Sequence, residues 1–191
     1  MDHILLGMVI EKITGSSITK QLQTKLFNPL KLENTFLYPH QKYPVEKMAH
    51  FWWDNYGSTE LIDVFLEDTT DIPMASLFSS VWTAGAMHST AEDLAIFVQK
   101  LFEGAVLKNK MLEDMVTPGP KMGQGEHYGY NVIIEQINGQ IVYWHTGGIG
   151  YASIYYYLPD NGISIAVLSN LMVNIKPIAI ALHEAYMKHQ E

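Results

Sequence analysis

Apolar positions recur along the chain with two different periods. In "MDHILLGMVIEKITG" the residues Ile4, Leu5, Met8, Val9 and Ile13 fall at helical spacing, and Gly15 is placed to end the helix. Ser16 or Ser17 can cap a second helix with Ile18, Leu22 and Leu26 on one face, broken at Asn28-Pro29. From about 31 to 88 the periodicity is weak and the chain too apolar for a solvated linker, which predicts loops and short helices covering a site. The clearest helix is "STAEDLAIFVQKLFEG": Ser89 as cap, Glu92 three residues on, a stripe of Leu94, Phe97, Val98, Leu101 and Phe102, and Gly104 as stop. A shorter helix, "NKMLEDMV", follows.

Beyond residue 120 the period drops to two. "YNVIIEQINGQIVYWHTG" reads as a hairpin turning at Asn138-Gly139, and "ASIYYYLPDNGISIAVLSN" as a second, turning at Asp160-Asn161-Gly162. "IKPIAIALHEAYMKH" then places Ile175, Ile178, Ala179, Leu182 and Tyr186 on one helical face. The pattern predicts an α+β fold: a mostly helical region over 1–120, then a four-stranded antiparallel meander and a covering C-terminal helix over 121–191.

Composition narrows the function classes. A chain of 191 residues with 48% apolar and 17% charged residues can bury a proper core. A net charge of −8 with no basic run argues against nucleic acid or an anionic membrane surface as partner. With no cysteine there is neither a disulfide framework nor a thiolate metal site. His183 and His189 stand six apart where a zinc-binding helix needs four, so both are expected at a solvated helix end and no metal site is expected. Glu92 and Asp93 are accounted for by capping and the helix dipole.

The chemistry-bearing candidate is His145-Thr146-Gly147-Gly148 at a strand end. A histidine there can donate a proton or hydrogen bond, Thr146 can hold a carboxylate or carbonyl, and two glycines let backbone N–H groups approach an oxyanion. A buried histidine beside a glycine-rich turn would give the same letters. "HFWWDNYG" (50–57) can be read as an aromatic lip for substrate or as plain ring packing.

The blocks "LLGMVIEKITG", "LFNPLKLENTFLYP", "TAGAMHSTAEDLAIFVQKLFEG", "YGYNV" and "WHTGGIGYASIYYYLPDNGISIAVLSN", in that order, resemble the serine β-lactamase-like superfamily. Class C β-lactamases, D-Ala-D-Ala carboxypeptidases and related esterases are the members they resemble most. The resemblance implies a β-lactamase/transpeptidase-like fold and a site made of Ser-x-x-Lys, Tyr-x-Asn and Lys- or His-Thr-Gly, with no cofactor. His145, Thr146 and Gly147 match the third element, and the backbone N–H of Gly148 would form half of an oxyanion hole.

No Tyr-x-Asn occurs in residues 1–191. "SITK" at Ser17–Lys20 fits Ser-x-x-Lys by letter, but it follows the "LLG" helix instead of preceding it, so a helix cap is the expected role. The chain is therefore expected to be a single domain over 1–191 lacking its N-terminal part. It would be inactive as a serine acyl-transferase, or else a non-catalytic ligand-binding or assembly module of the same fold. The resemblance further implies a small-molecule or peptidoglycan-like peptide substrate for the whole protein, and a periplasmic, cell-surface or secreted location. The first strands and helix of that fold pack against the sheet, so their lack should expose an edge and a face that pair chains into a homodimer or larger assembly.

Overall fold

Helix α1 (Asp2–Thr14) ends where Gly15, at φ +61°, donates its N–H to the Glu11 carbonyl at 2.9 Å. A computed structural model of the chain describes residues 2–41, 48–50, 52–54, 66–68, 74–123 and 125–189. Within α1 only Gly7 is buried. A Cβ there would stand 2.6 Å from the Thr83 side chain, so the absence of a side chain is what lets the helix seat. Thr83 Oγ1 donates to the His3 carbonyl at 2.7 Å and fixes that contact. The apolar periodicity expected to be buried is instead open: Leu5, Met8, Val9 and Ile13 are each more than half exposed.

Helix α2 (Ile18–Leu22) is capped by Ser17, whose Oγ accepts the Lys20 N–H at 3.3 Å. It runs on through a π turn (Gln23–Phe27) into α3 (Asn28–Leu30). The break expected at Asn28-Pro29 therefore falls later, at Lys31 with φ +57°. A proline in the first turn of a helix costs little because its missing N–H would be unpaired there anyway.

Between residues 31 and 88 lie two short antiparallel ladders that periodicity did not predict. Strand β1 (Phe36–Leu37) pairs with β4 (Met87–His88), and β2 (Trp52–Asp54) with β3 (Leu66–Asp68). Helix α4 (Met74–Val81) leads through a tight 3₁₀ turn (Trp82–Ala84) to β4. Ladders of two and three residues are too short to show a readable alternation in the sequence. Of "HFWWDNYG", the Trp52 N–H bonds the Asn170 carbonyl at 3.1 Å, while Phe51 and Asn55–Gly57 lie outside the described residues.

Helix α5 (Ala91–Phe102) is capped by Thr90, not Ser89: Thr90 Oγ1 accepts the Asp93 N–H at 3.2 Å. Ser89 Oγ instead pairs with Thr35 Oγ1 at 2.9 Å. Asp93, expected to be a plain first-turn acid, is buried and accepts the Asn34 N–H and the Thr35 hydroxyl, both at 2.8 Å. It ties α5 to the chain after α3. Helix α6 (Asn109–Met115) follows.

The sheet has five strands, not four. β5 (His127–Tyr128) precedes β6 (Ile133–Ile137), β7 (Gln140–Ile149), β8 (Tyr151–Leu158) and β9 (Ile163–Ser169), all antiparallel in chain order. Asn138 (φ +51°) and Gly139 (φ +80°) both take the left-handed conformation that a tight hairpin turn needs. Alternation sends Val142, Trp144, Ile154, Tyr156 and Leu158 into a core with Ile175 and Ala179 of α7 (Lys176–Lys188) and its cap. The opposite face presents Tyr143, His145, Tyr155 and Tyr157, with Phe102 of α5 stacked on Tyr157 at 4.7 Å.

Helix α7 seats differently from its apolar pattern. Ile175, Ala179 and His183 form the buried line, four residues apart, whereas Ile178 and Leu182 are about half exposed. His183 is fully buried, contrary to its expected place at a solvated end. Its Nδ1 lies 2.8 Å from Tyr156 Oη and its Nε2 2.7 Å from Gln140 Oε1. An amide oxygen only accepts, so Nε2 carries the proton and the Tyr156 hydroxyl donates to Nδ1.

Candidate active-site wall on strand β7

Strand β7 outruns its neighbour. Pairing with β6 stops at Trp144–Ile133, while pairing with β8 continues to Ile149–Tyr151. The segment His145–Ile149 thus has β8 on one side and, among the described residues, no strand on the other. His145 and Thr146 on this overhang line a cleft of about 480 Å³. Its other walls include Leu6, Gly7 and Ile10 of α1, Ile18 and Leu22 of α2, the segment from Trp82 to Met87, and Asn131.

His145 is the most constrained group here. Its Nδ1 is 2.7 Å from the Thr146 carbonyl and its Nε2 2.8 Å from Tyr128 Oη. The ring stacks on Tyr155, its partner across the β7–β8 ladder, with centroids 6.5 Å apart, and meets Tyr128 edge-on at 5.8 Å. Burial pushes the Tyr155 phenol far above the ordinary tyrosine range, so its hydroxyl stays a donor, to the Asn131 carbonyl at 3.1 Å. That bond holds Asn131 at φ +58°, and Asn131 Oδ1 lies 3.3 Å from Tyr128 Oη as a second acceptor within reach of its hydroxyl.

The other predicted positions are placed as follows. Thr146 is exposed at the cleft, with room for its hydroxyl to meet a ligand. Gly147 faces Ser153 so closely that a Cβ would lie 2.5 Å from Ser153 Oγ. Its lack of a side chain is therefore demanded by the ladder as well as by any ligand. Gly148 is exposed, and a Cβ there would press on Met172 at 3.2 Å.

Ser17 and Lys20 are both exposed and neither lines the cleft; the Ser17 hydroxyl is engaged as the α2 cap. Among the described residues no group of three or more His, Asp or Glu is arranged to hold a metal ion, and no helix is long and apolar enough to cross a membrane. Periodicity reasoning missed Tyr128, Asn131 and Tyr155. The first two lie in "YGYNV", and Tyr155 could have been found as the residue registered opposite His145 once the hairpin turn at Gly150 was fixed.

The Beta-lactamase family model matches residues 1–184, and the chain belongs to that family. Its similarities lie among serine hydrolases of this fold. Penicillin-binding protein 4* of Bacillus subtilis (strain 168) is 24% identical over 176 residues, 88% of this chain and 38% of that protein. The crystal structure of D-amino acid amidase from Ochrobactrum anthropi SV3, complexed with L-phenylalanine amide, superposes with a TM-score of 0.74 at 25% identity, covering 90% of this chain and 49% of the amidase. A D-stereospecific amidohydrolase from a Streptomyces species gives a TM-score of 0.74 at 27% identity over 89% of this chain and 48% of its own. The chain thus spans about half or less of the length of these relatives.

Proposed function

We propose that residues 1–191 supply the His-Thr-Gly wall of a serine acyl-transfer site acting on amide or peptide carbonyls. The observation that carries this reading is the overhang of β7, which sets His145 and the exposed Thr146 side by side at the mouth of an apolar cleft. Thr146 Oγ1 would orient the substrate, the Gly148 N–H would steady an oxyanion, and His145 would assist electrostatically or by proton transfer. An apolar cleft beside a donor suits a D-amino acid amide with a large side chain, in keeping with the amidases the chain resembles.

The serine nucleophile is not Ser17 in this reading, and no Tyr-x-Asn stands within the chain, so residues 1–191 alone bind substrate without turning it over. Loss of a nucleophile from such a constellation leaves residual catalysis at most. The whole protein would work in the cell envelope, as its penicillin-binding relatives' name suggests. A second reading, a non-catalytic binding or assembly module, draws on the open apolar face of α1.

Titration of the ¹⁵N-labelled chain with D-phenylalanine amide tests the proposal, alongside intact-mass analysis after exposure to a reactive penicillin and a fluorophosphonate. The expected result is amide shifts confined to residues 145–148 and the cleft, abolished by Thr146→Ala, with no covalent adduct. An adduct on Ser17 would make the chain a rearranged complete enzyme. Shifts that spare 145–148 would remove the assignment of the wall.

A further inference from the structure

The hydrogen-bond geometry around His145 fixes more than its position. A carbonyl oxygen can only accept, so the 2.7 Å contact to the Thr146 carbonyl places a proton on Nδ1. In the neutral ring Nε2 is then an acceptor, and the Tyr128 hydroxyl at 2.8 Å must donate to it. When Nε2 takes up a proton it becomes a donor to the same oxygen. The Tyr128 hydroxyl hydrogen then turns to Asn131 Oδ1, already 3.3 Å away. Both charge states are satisfied with every heavy atom in place, which keeps reorganisation small.

We propose that Tyr128 is a positioning residue that holds His145 as the Nδ1–H tautomer with Nε2 occupied. Direct hydrogen bonding to a ligand then falls to Thr146 Oγ1, while His145 contributes its charge by protonation at Nε2. Tyr155 and Asn131 make the arrangement rigid: Tyr155 covers one face of the imidazole, and its hydroxyl pins the left-handed Asn131 backbone that carries the alternative acceptor. A histidine's second partner selecting its tautomer is a general device for histidines that act on a proton. The functional meaning rests on the His-Thr-Gly wall proposed above, but the tautomer itself does not.

Long-range ¹H–¹⁵N correlation spectra of the imidazole nitrogens, recorded on the whole chain, test the proposal. For the neutral imidazole of His145 the expected wild-type signature is a pyrrole-type Nδ1 and a hydrogen-bonded imine Nε2. Tyr128→Phe, which keeps the ring, should move Nε2 toward the value of a free imine nitrogen, while the His183 nitrogens, buried on the other face, stay unchanged and report an intact fold. A neutral wild-type ring in the Nε2–H form overturns the proposal without any variant, and so does a Tyr128→Phe spectrum identical to wild type. On adding D-phenylalanine amide, the wild-type His145 nitrogens should keep their tautomer while Thr146 responds. A locked tautomer with no response at Thr146 would sink the substrate reading and leave the Tyr128 assignment standing.

Discussion

His183 shows how far a single residue can depart from its sequence context. It lies in a helix near the chain's end, where water is the ordinary neighbour, yet it is fully buried between Tyr156 and Gln140. Burial pushes its imidazole below the ordinary histidine range, with nearby Glu184 only partly opposing this. His88, packed 4.6 Å from Phe78 and 5.2 Å from Tyr38, is lowered by burial too. The sign follows from linkage: the unfolded chain binds these protons near pH 6.5 and the folded chain does not until lower pH. Stability is therefore full above about pH 6.5 and falls as the pH drops from there through the folded values. Urea midpoints at pH 7.5 and 5.5 should differ in that direction. His183→Gln should reduce the difference without abolishing it, since His88 remains. An unchanged difference would mean that His183 is protonated in the fold.

Among the elements, α5 was the most legible and its anchoring the least. Its stripe and its stop at Gly104 followed from spacing, but the choice of Thr90 over Ser89 as cap depended on Thr35, 54 residues from Ser89, claiming the Ser89 hydroxyl. The same neighbourhood buries Asp93 against the Asn34 N–H and the Thr35 hydroxyl. Asp93→Ala leaves the Asn34 N–H without its acceptor and the Thr35 hydroxyl with Ser89 alone, and should destabilise the chain by about 1–3 kcal/mol, more than loss of an exposed first-turn charge would. Denaturant unfolding of Asp93→Ala beside Glu92→Ala separates the two. Equal, small effects would return Asp93 to the role its sequence position suggested. The hairpin at Asn138-Gly139 stands at the other extreme, because its turn residues alone dictate the φ values found.

At the scale of the whole molecule, two of the surfaces that are open among the described residues bear on assembly. One is the stripe of Leu5, Met8, Val9 and Ile13 on α1, on the side away from the cleft; the other is the outer edge of β9, whose Ile163–Ser169 carries no charge. Uncharged edges and contiguous apolar faces recruit other chains. The expected outcome is a homodimer or larger assembly in light scattering, with the double substitution Leu5→Lys, Val9→Lys shifting the mass toward a monomer. A monodisperse wild-type monomer would contradict the expectation. Assembly that survives the double substitution would move the interface to the β9 edge.

The sequence by itself determined the main periods, those of α1, α5, α7 and the long strands of the sheet, and the turns at Asn138-Gly139 and Asp160-Asn161-Gly162, whereas His145-Thr146-Gly147, expected at a strand end, lies inside β7, which runs on to Ile149. Periods and turns are local properties, set by side-chain spacing and by the few residues that tolerate a turn's backbone. Only the tertiary structure decided which apolar face is covered, as with the open stripe of α1 and the exposed Ile178 and Leu182 of α7. It alone brought Tyr128, Asn131 and Tyr155 around His145, and Ser89 to Thr35. Burial and hydrogen-bond partnership are properties of pairs distant in sequence. Periodicity records that a side chain prefers to leave water, and the fold decides what it meets when it does.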